Sequence, residues 1–354
     1  MDNYRGITVT PIISKLFESS ILPCLSDIFL LSTLQFGFTE GLCMLMAVFI
    51  INEARAETKH TTFDSLFLMT VDSKKAFDVV DHIIMMDKFY ENIPNSSLWT
   101  VIKDFYSGLT SKVKWKGIFS HSFSIKQGVR QRRLDTGQYH HIPVQRNNPS
   151  GNIRSELKEI NLNIDARLSI ARRTLYFLIK TGVHGSNGLN PATSFKIYQC
   201  YVLPRPICGL EILPLNNSQM DKSNKFHLKN LKSFQSLPIR TASCAVLLLI
   251  GALALEAEIH KRQLTFLHNV LSCENNTIRD LSERQILMNM QNPTSFFNKI
   301  ESLLSSSYEV PEITALQQCL PTKLSWKSTV KISIREFWTQ KLKSDISQKS
   351  SLNT

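Results

Sequence analysis

Leu66-Phe67-Leu68-Met69-Thr70-Val71-Asp72-Ser73-Lys74-Lys75-Ala76-Phe77-Asp78-Val79-Val80-Asp81-His82 is the stretch whose reading decides the fold. Its first half is a nearly continuous apolar run, too short for a core helix and rich in bulky residues, so it predicts a buried strand ending at Asp72. A carboxylate is thereby delivered at a strand terminus, where the strand fixes its position and the adjoining loop opens it to metal and substrate. Ser73-Lys74-Lys75 reads as a turn, and Ala76 to Tyr90 carries apolar residues at helical spacing. An aspartate at such a place also caps helices and starts turns, so the local pattern leaves a purely structural role open.

Working outward, Ile7 to Leu31 has helical spacing, with Pro11 near its start and Pro23 as an interruption. Gly41 to Glu57 suits a helix with a polar end at Asn52-Glu53-Ala54-Arg55. Asn95 is a cap for a helix reaching about Tyr106. Val113 to Trp115 and Phe119 to Ile125 alternate around Lys116-Gly117, a hairpin signal. From Arg132 to about Ser155 periodicity collapses into Asp135-Thr136-Gly137, Pro143 and Asn147-Asn148-Pro149-Ser150-Gly151, read as a linker. His140-His141 lies in it, but no third metal ligand has suitable spacing. The remainder reads as helices over Leu157 to Thr181, Thr193 to Leu203, Lys222 to Ser236, Leu247 to Gln263 and Leu324 to Lys343. No fixed-period repeat is evident.

The chain has 354 residues, 43% hydrophobic and 20% charged, enough for two domains with substantial cores. Its 41 Lys+Arg against 29 Asp+Glu give a net charge of +12. That balance fits a polyanionic partner such as RNA or DNA, or an ordinary basic surface. Seven cysteines without a Cys-x-x-Cys pair predict reduced thiols and an intracellular setting, cytoplasmic or nuclear. Gly41 to Ile51 and Ala245 to Leu255 are the most apolar runs; both fall short of the roughly 20 residues a membrane span needs, so buried helices and no membrane partner are expected. No secretory signal is visible at the N-terminus.

The string Val71-Asp72, four residues, then Phe77-Asp78-Val79-Val80 resembles the first palm motif of reverse transcriptases of non-LTR (LINE-type) retrotransposons. Asn3-Tyr4-Arg5-Gly6-Ile7 through Ser14-Lys15-Leu16-Phe17-Glu18 resembles the opening fingers motif, and Leu34-Gln35-Phe36-Gly37-Phe38 the next. Gln127-Gly128-Val129-Arg130-Gln131 is similar to the start of the motif that packs against template and nucleotide. Leu168 to Arg173, Tyr201 to Arg205 and His260-Lys261-Arg262 resemble the region that follows the polymerase core. The resemblance implies an RNA-directed DNA polymerase with RNA template, DNA primer and Mg²⁺. It makes Asp72 the catalytic, metal-binding carboxylate, Phe77 the aromatic facing the ribose 2′ position, Arg5 a triphosphate contact and Gln131 a neighbour of the nucleotide sugar. Read from pattern alone, Phe77 is a core residue rather than a gate, and Arg5 a solvated N-terminal charge.

The chain departs from the family after Gln131, where Arg132-Arg133-Leu134-Asp135 replaces the expected continuation, and no Asp-Asp pair occurs anywhere. An internal deletion and a partial reading frame, hence a pseudoenzyme, are the expectation. The expected architecture is α+β: a right-hand polymerase fingers/palm fragment over 1–131, a linker over 132–155, a helical thumb or post-polymerase region over 156–345, and a polar tail over 346–354. Two other classes stay open: a non-catalytic nucleic-acid-binding remnant, and an interaction protein or untranslated relic with no biochemical role.

Near the C-terminus Lys323, Lys327, Lys331 and Arg335 recur every four residues and form one helical ridge, beside a ridge of Trp326, Val330, Ile334 and Trp338 that should be buried. Basic residues beside aromatics can track a phosphate backbone, and a solvated helix face has the same pattern.

Overall fold

The structure is a computed structural model that describes residues 11–29, 31–61, 66–71, 76–129, 159–184, 188–306 and 308–348. In chain order its elements are α1 (Ile12–Ile28), α2 (Met44–Thr61), α3 (His82–Asn92), α4 (Ser96–Tyr106), β1 (Thr110–Ser111), β2 (Lys114–Trp115), β3 (Ile118–Phe119) and β4 (Phe123–Ser124). Then come α5 (Glu159–Ile179), α6 (Pro191–Tyr201), α7 (Pro204–Ile207), α8 (Asn217–Phe234), α9 (Ser243–Ile250) and α10 (Leu255–Leu271). The last are α11 (Asn276–Asn289), α12 (Phe296–Ser306), α13 (Ile313–Gln318) and α14 (Lys323–Ser347). Two compact units result, residues 1–32 with 68–140 and residues 33–67 with 141–354.

In the first unit, local sequence signals set the elements. Asp81 Oδ1 accepts from the backbone N–H of Ile83 (2.7 Å) and Ile84 (3.2 Å), which starts α3. Asn95 Oδ1 does the same for Ser97 (2.9 Å) and Leu98 (3.4 Å) at α4. Trp99 clamps the two helices, donating its Nε1–H to Met86 O (3.1 Å) and lying edge-on to Tyr90. β1 pairs antiparallel with β4 and β2 with β3; Lys116 and Gly117 turn the tip with positive φ at both positions, as a twisted two-residue hairpin demands.

Three expectations fail here. Leu66 to Val71 is not a buried strand: it has no regular structure, with Phe67 92% and Val71 87% exposed. An apolar run becomes a strand only where a neighbour satisfies its backbone, and among the described residues none lies beside it. The helix expected from Ala76 begins at His82, because Asp81 caps there and residues 76–79 are spent on a turn. Pro23 does not interrupt α1, which runs through it. No palm sheet is present among the described residues, so the expected α+β architecture holds only in its helical part. Residues 132–155 lie outside those described.

Among its described residues the second unit has helices and no strands. The expected boundaries place Gly41 to Glu57 in the N-terminal fragment, yet α2 packs against α11 in this unit. Phe49 explains part of the attachment, meeting Phe266, Phe296 and Phe297 edge-on at 5.5, 5.4 and 5.5 Å. Glu53 adds to it: Oε1 accepts from Phe296 N (2.8 Å) at the start of α12, and Oε2 accepts from Ser295 Oγ (2.6 Å) and Asn289 Nδ2 (3.2 Å). α8 opens with a reciprocal box, Gln219 N–H to Asn216 Oδ1 and Asn216 N–H to Gln219 Oε1. The single helix expected over Leu247 to Gln263 is two, bent by 64°. Gly251 at φ +68° ends α9, with Gly251 N–H bonding Leu248 O and Ala252 N–H bonding Leu247 O. No single helix among the described residues is long and apolar enough to cross a membrane.

Candidate nucleic-acid interface

α14 is 25 residues long and starts at Thr322, whose Oγ1 accepts from Ser325 N–H (3.4 Å). Its Trp326, Val330, Ile334, Trp338 and Leu342 are buried against a core that α10 dominates. Both indoles are satisfied inside: Trp326 Nε1–H donates to Leu264 O (2.8 Å) and Trp338 Nε1–H to Tyr308 Oη (3.1 Å). With that seam fixed, the neighbouring row is held outward. Lys323, Lys327, Lys331 and Arg335 are all exposed, as the spacing predicts, on an arc about 18 Å long at 1.5 Å per residue. None of the four makes an ion pair with a described carboxylate. At the ridge's far end Arg335, Glu336, Thr339 and Gln340 line a shallow surface depression.

A second cationic row lies on α8, whose sequence mixes four lysines with Phe226, Leu231 and Phe234 and reads as a helix with one wet face. Lys222, Lys225, Lys229 and Lys232 follow one another at three or four residues on the outer side of α8. Lys222 pairs with Asp165 (2.6 Å) and Lys232 donates to Ile239 O (2.7 Å), while Lys225 and Lys229 have no described partner. The three-four spacing is the signal that points to it.

In the first unit the structure brings two of the motif strings together. Val129 N–H donates to Phe77 O and Gly128 N–H to Val80 O, each at 2.7 Å, and Asp81 and Gln127 form an isolated antiparallel bridge. His82 Nε2–H donates to Gly128 O (2.8 Å). Gly128 has φ +87°, and a Cβ there would stand 2.9 Å from Asp78 O, so the close approach requires glycine. Phe77 is in a turn and 40% exposed. Asp72, Arg5 and Gln131 lie outside the described residues. Asp81 is committed to capping α3. Among the described residues no group of three His, Cys, Asp or Glu side chains can hold a metal, so the Mg²⁺ the resemblance implies finds no fitting site there.

Two buried histidines are bonded within the core. His227 Nδ1 accepts from Tyr198 Oη (2.9 Å) while its Nε2–H donates to Leu253 O (3.2 Å), and burial lowers its pKa to about 4. His260 Nδ1 meets Tyr308 Oη at 2.7 Å, and burial, reinforced by Lys299 and Lys341, also lowers it to about 4. Neutral rings bonded inside a core offer no proton to a substrate. All seven cysteines are free thiols. No protein-family model, no curated protein and no solved structure matches the chain.

Proposed function

We propose that this chain binds RNA or DNA through phosphate contacts without reading sequence, and that it does not polymerise. The observation that carries this reading is the row Lys323, Lys327, Lys331 and Arg335, held outward on α14 by a buried apolar seam and unpaired with any described acid. A row of fixed cations releases counterions from a phosphate backbone, which gives affinity without base specificity. The net charge of +12 adds a long-range attraction.

The finer reading is a partial reverse transcriptase of a non-LTR retrotransposon, with RNA template and DNA primer as ancestral partners. The ordered motif strings support it, as does the backbone pairing of the Phe77 and Gly128 segments. Against retained polymerisation stands the missing Asp-Asp pair, because a two-metal transfer needs carboxylates from separate strands. Fluorescence anisotropy with a labelled duplex of mixed sequence, between about 50 and 200 mM salt, tests the binding. The logarithm of the affinity should fall linearly with the logarithm of salt, equally for two unrelated sequences. Absence of binding at the low-salt end would instead favour the relic.

A further inference from the structure

α5 buries Ile164, Arg167, Leu168, Ala171 and Leu175 and turns its opposite side to solvent. On that side Arg173, Tyr176, Phe177 and Lys180 follow at steps of three, one and three, so they share one face. Tyr176 is 64% and Phe177 68% exposed, although the same unit buries Phe195, Tyr198, Phe226 and Phe234. Neither Arg173 nor Lys180 has a described partner. No Asp or Glu occurs from Ala166 to Leu210, whereas Arg167, Arg172, Arg173, Lys180, Lys196 and Arg205 do. The face therefore offers two open aromatic planes flanked by two cations, within a stretch of sequence that carries no acid.

A ligand that matches must present flat apolar faces and negative charges in alternation. Single-stranded nucleic acid does so, since its bases stack on aromatics and its phosphates meet cations. A duplex hides its base faces. An anionic membrane calls for a broad apolar face, and the apolar side of α5 is already buried in the core. We infer that Arg173, Tyr176, Phe177 and Lys180 form a stacking platform for single-stranded nucleic acid, separate from the α14 row; the inference rests on the phosphate-binding reading above.

The test compares the full chain with its Tyr176→Ala/Phe177→Ala variant, using labelled oligothymidylate, oligouridylate and a duplex of equal length. The variant should bind both single strands about tenfold more weakly or worse. Its duplex affinity and salt slope should stay as in the wild type. Phe177→Trp should retain single-strand affinity, with indole fluorescence quenched on binding. Single-strand affinities unchanged in the double variant, or duplex affinity falling equally, would overturn the platform and leave the α14 reading intact. Loss of anionic-vesicle binding with single-strand affinity intact would overturn it too. A wild type that binds none of the three probes at low salt removes both readings.

Discussion

Glu53 belongs to α2, yet it holds the first turn of α12, 243 residues further along the chain. Three donors converge on its carboxylate, and Glu53→Ala would leave Phe296 N–H and Ser295 Oγ–H short of an acceptor inside the core, while Asn289 Nδ2 keeps Gln285 Oε1 and the backbone carbonyl of residue 53. The expected loss is about 2–4 kcal/mol by urea denaturation, with Glu53→Gln recovering part of it. Burial raises the pKa of Glu53, against the pull of its donors, so its contribution is greatest below the ordinary glutamate range and is lost as pH rises through the raised value. His227 and His260 act with the opposite sign. Their folded pKa near 4 is below the ordinary 6.5, so their stabilisation is present above 6.5 and lost as pH falls towards 4. Between pH 7 and 5 the wild type should lose on the order of 2 kcal/mol per histidine, and His260→Gln should lose correspondingly less across the same interval. Equal slopes in wild type and variant would show that this ring is not the group responsible. None of these partnerships is legible in the sequence, because each joins residues far apart in the chain whose spacing carries no period.

At the scale of elements, legibility follows local chemistry. The cap at Asn95, the Lys116-Gly117 turn and the two rows of α14 are all written within a few neighbouring residues, and each is where the spacing places it. The strand expected over Leu66 to Asp72 fails over its described residues, since a strand depends on neighbours that its own sequence cannot specify. The break between α9 and α10 is written in Gly251, but apolar residues continue on both sides of it and hide the signal. For α14 the two rows predict separable effects. Trp326→Ala removes a fully buried indole and its bond to Leu264 O, and should destabilise by about 3–5 kcal/mol. Lys327→Ala, one residue on and exposed, should change stability by less than about 0.5 kcal/mol. Thermal or urea denaturation of the pair decides whether the seam is assigned to the right side of the helix.

The whole molecule is uneven. The second unit holds nearly all the buried apolar side chains, whereas between Leu68 and Val129 only Ile93 and Ile102 are buried hydrophobics among the described residues. On the proposed reading, a two-metal transfer needs paired carboxylates on a rigid scaffold, and the first unit shows no palm sheet among its described residues. Primer extension on a polyadenylate template with Mg²⁺ or Mn²⁺ should therefore give no incorporation above background, and incorporation abolished by Asp72→Ala would show that another carboxylate completes a site. The central claim, phosphate binding by the α14 row, is tested most directly by the salt dependence of duplex binding in the variant Lys323→Ser/Lys327→Ser/Lys331→Ser/Arg335→Ser. If the row neutralises phosphates, the variant should bind more weakly at low salt, and its slope of log affinity against log salt should be shallower by about 0.9 for each phosphate left without its cation. An affinity and a slope both equal to those of the wild type would contradict the assignment.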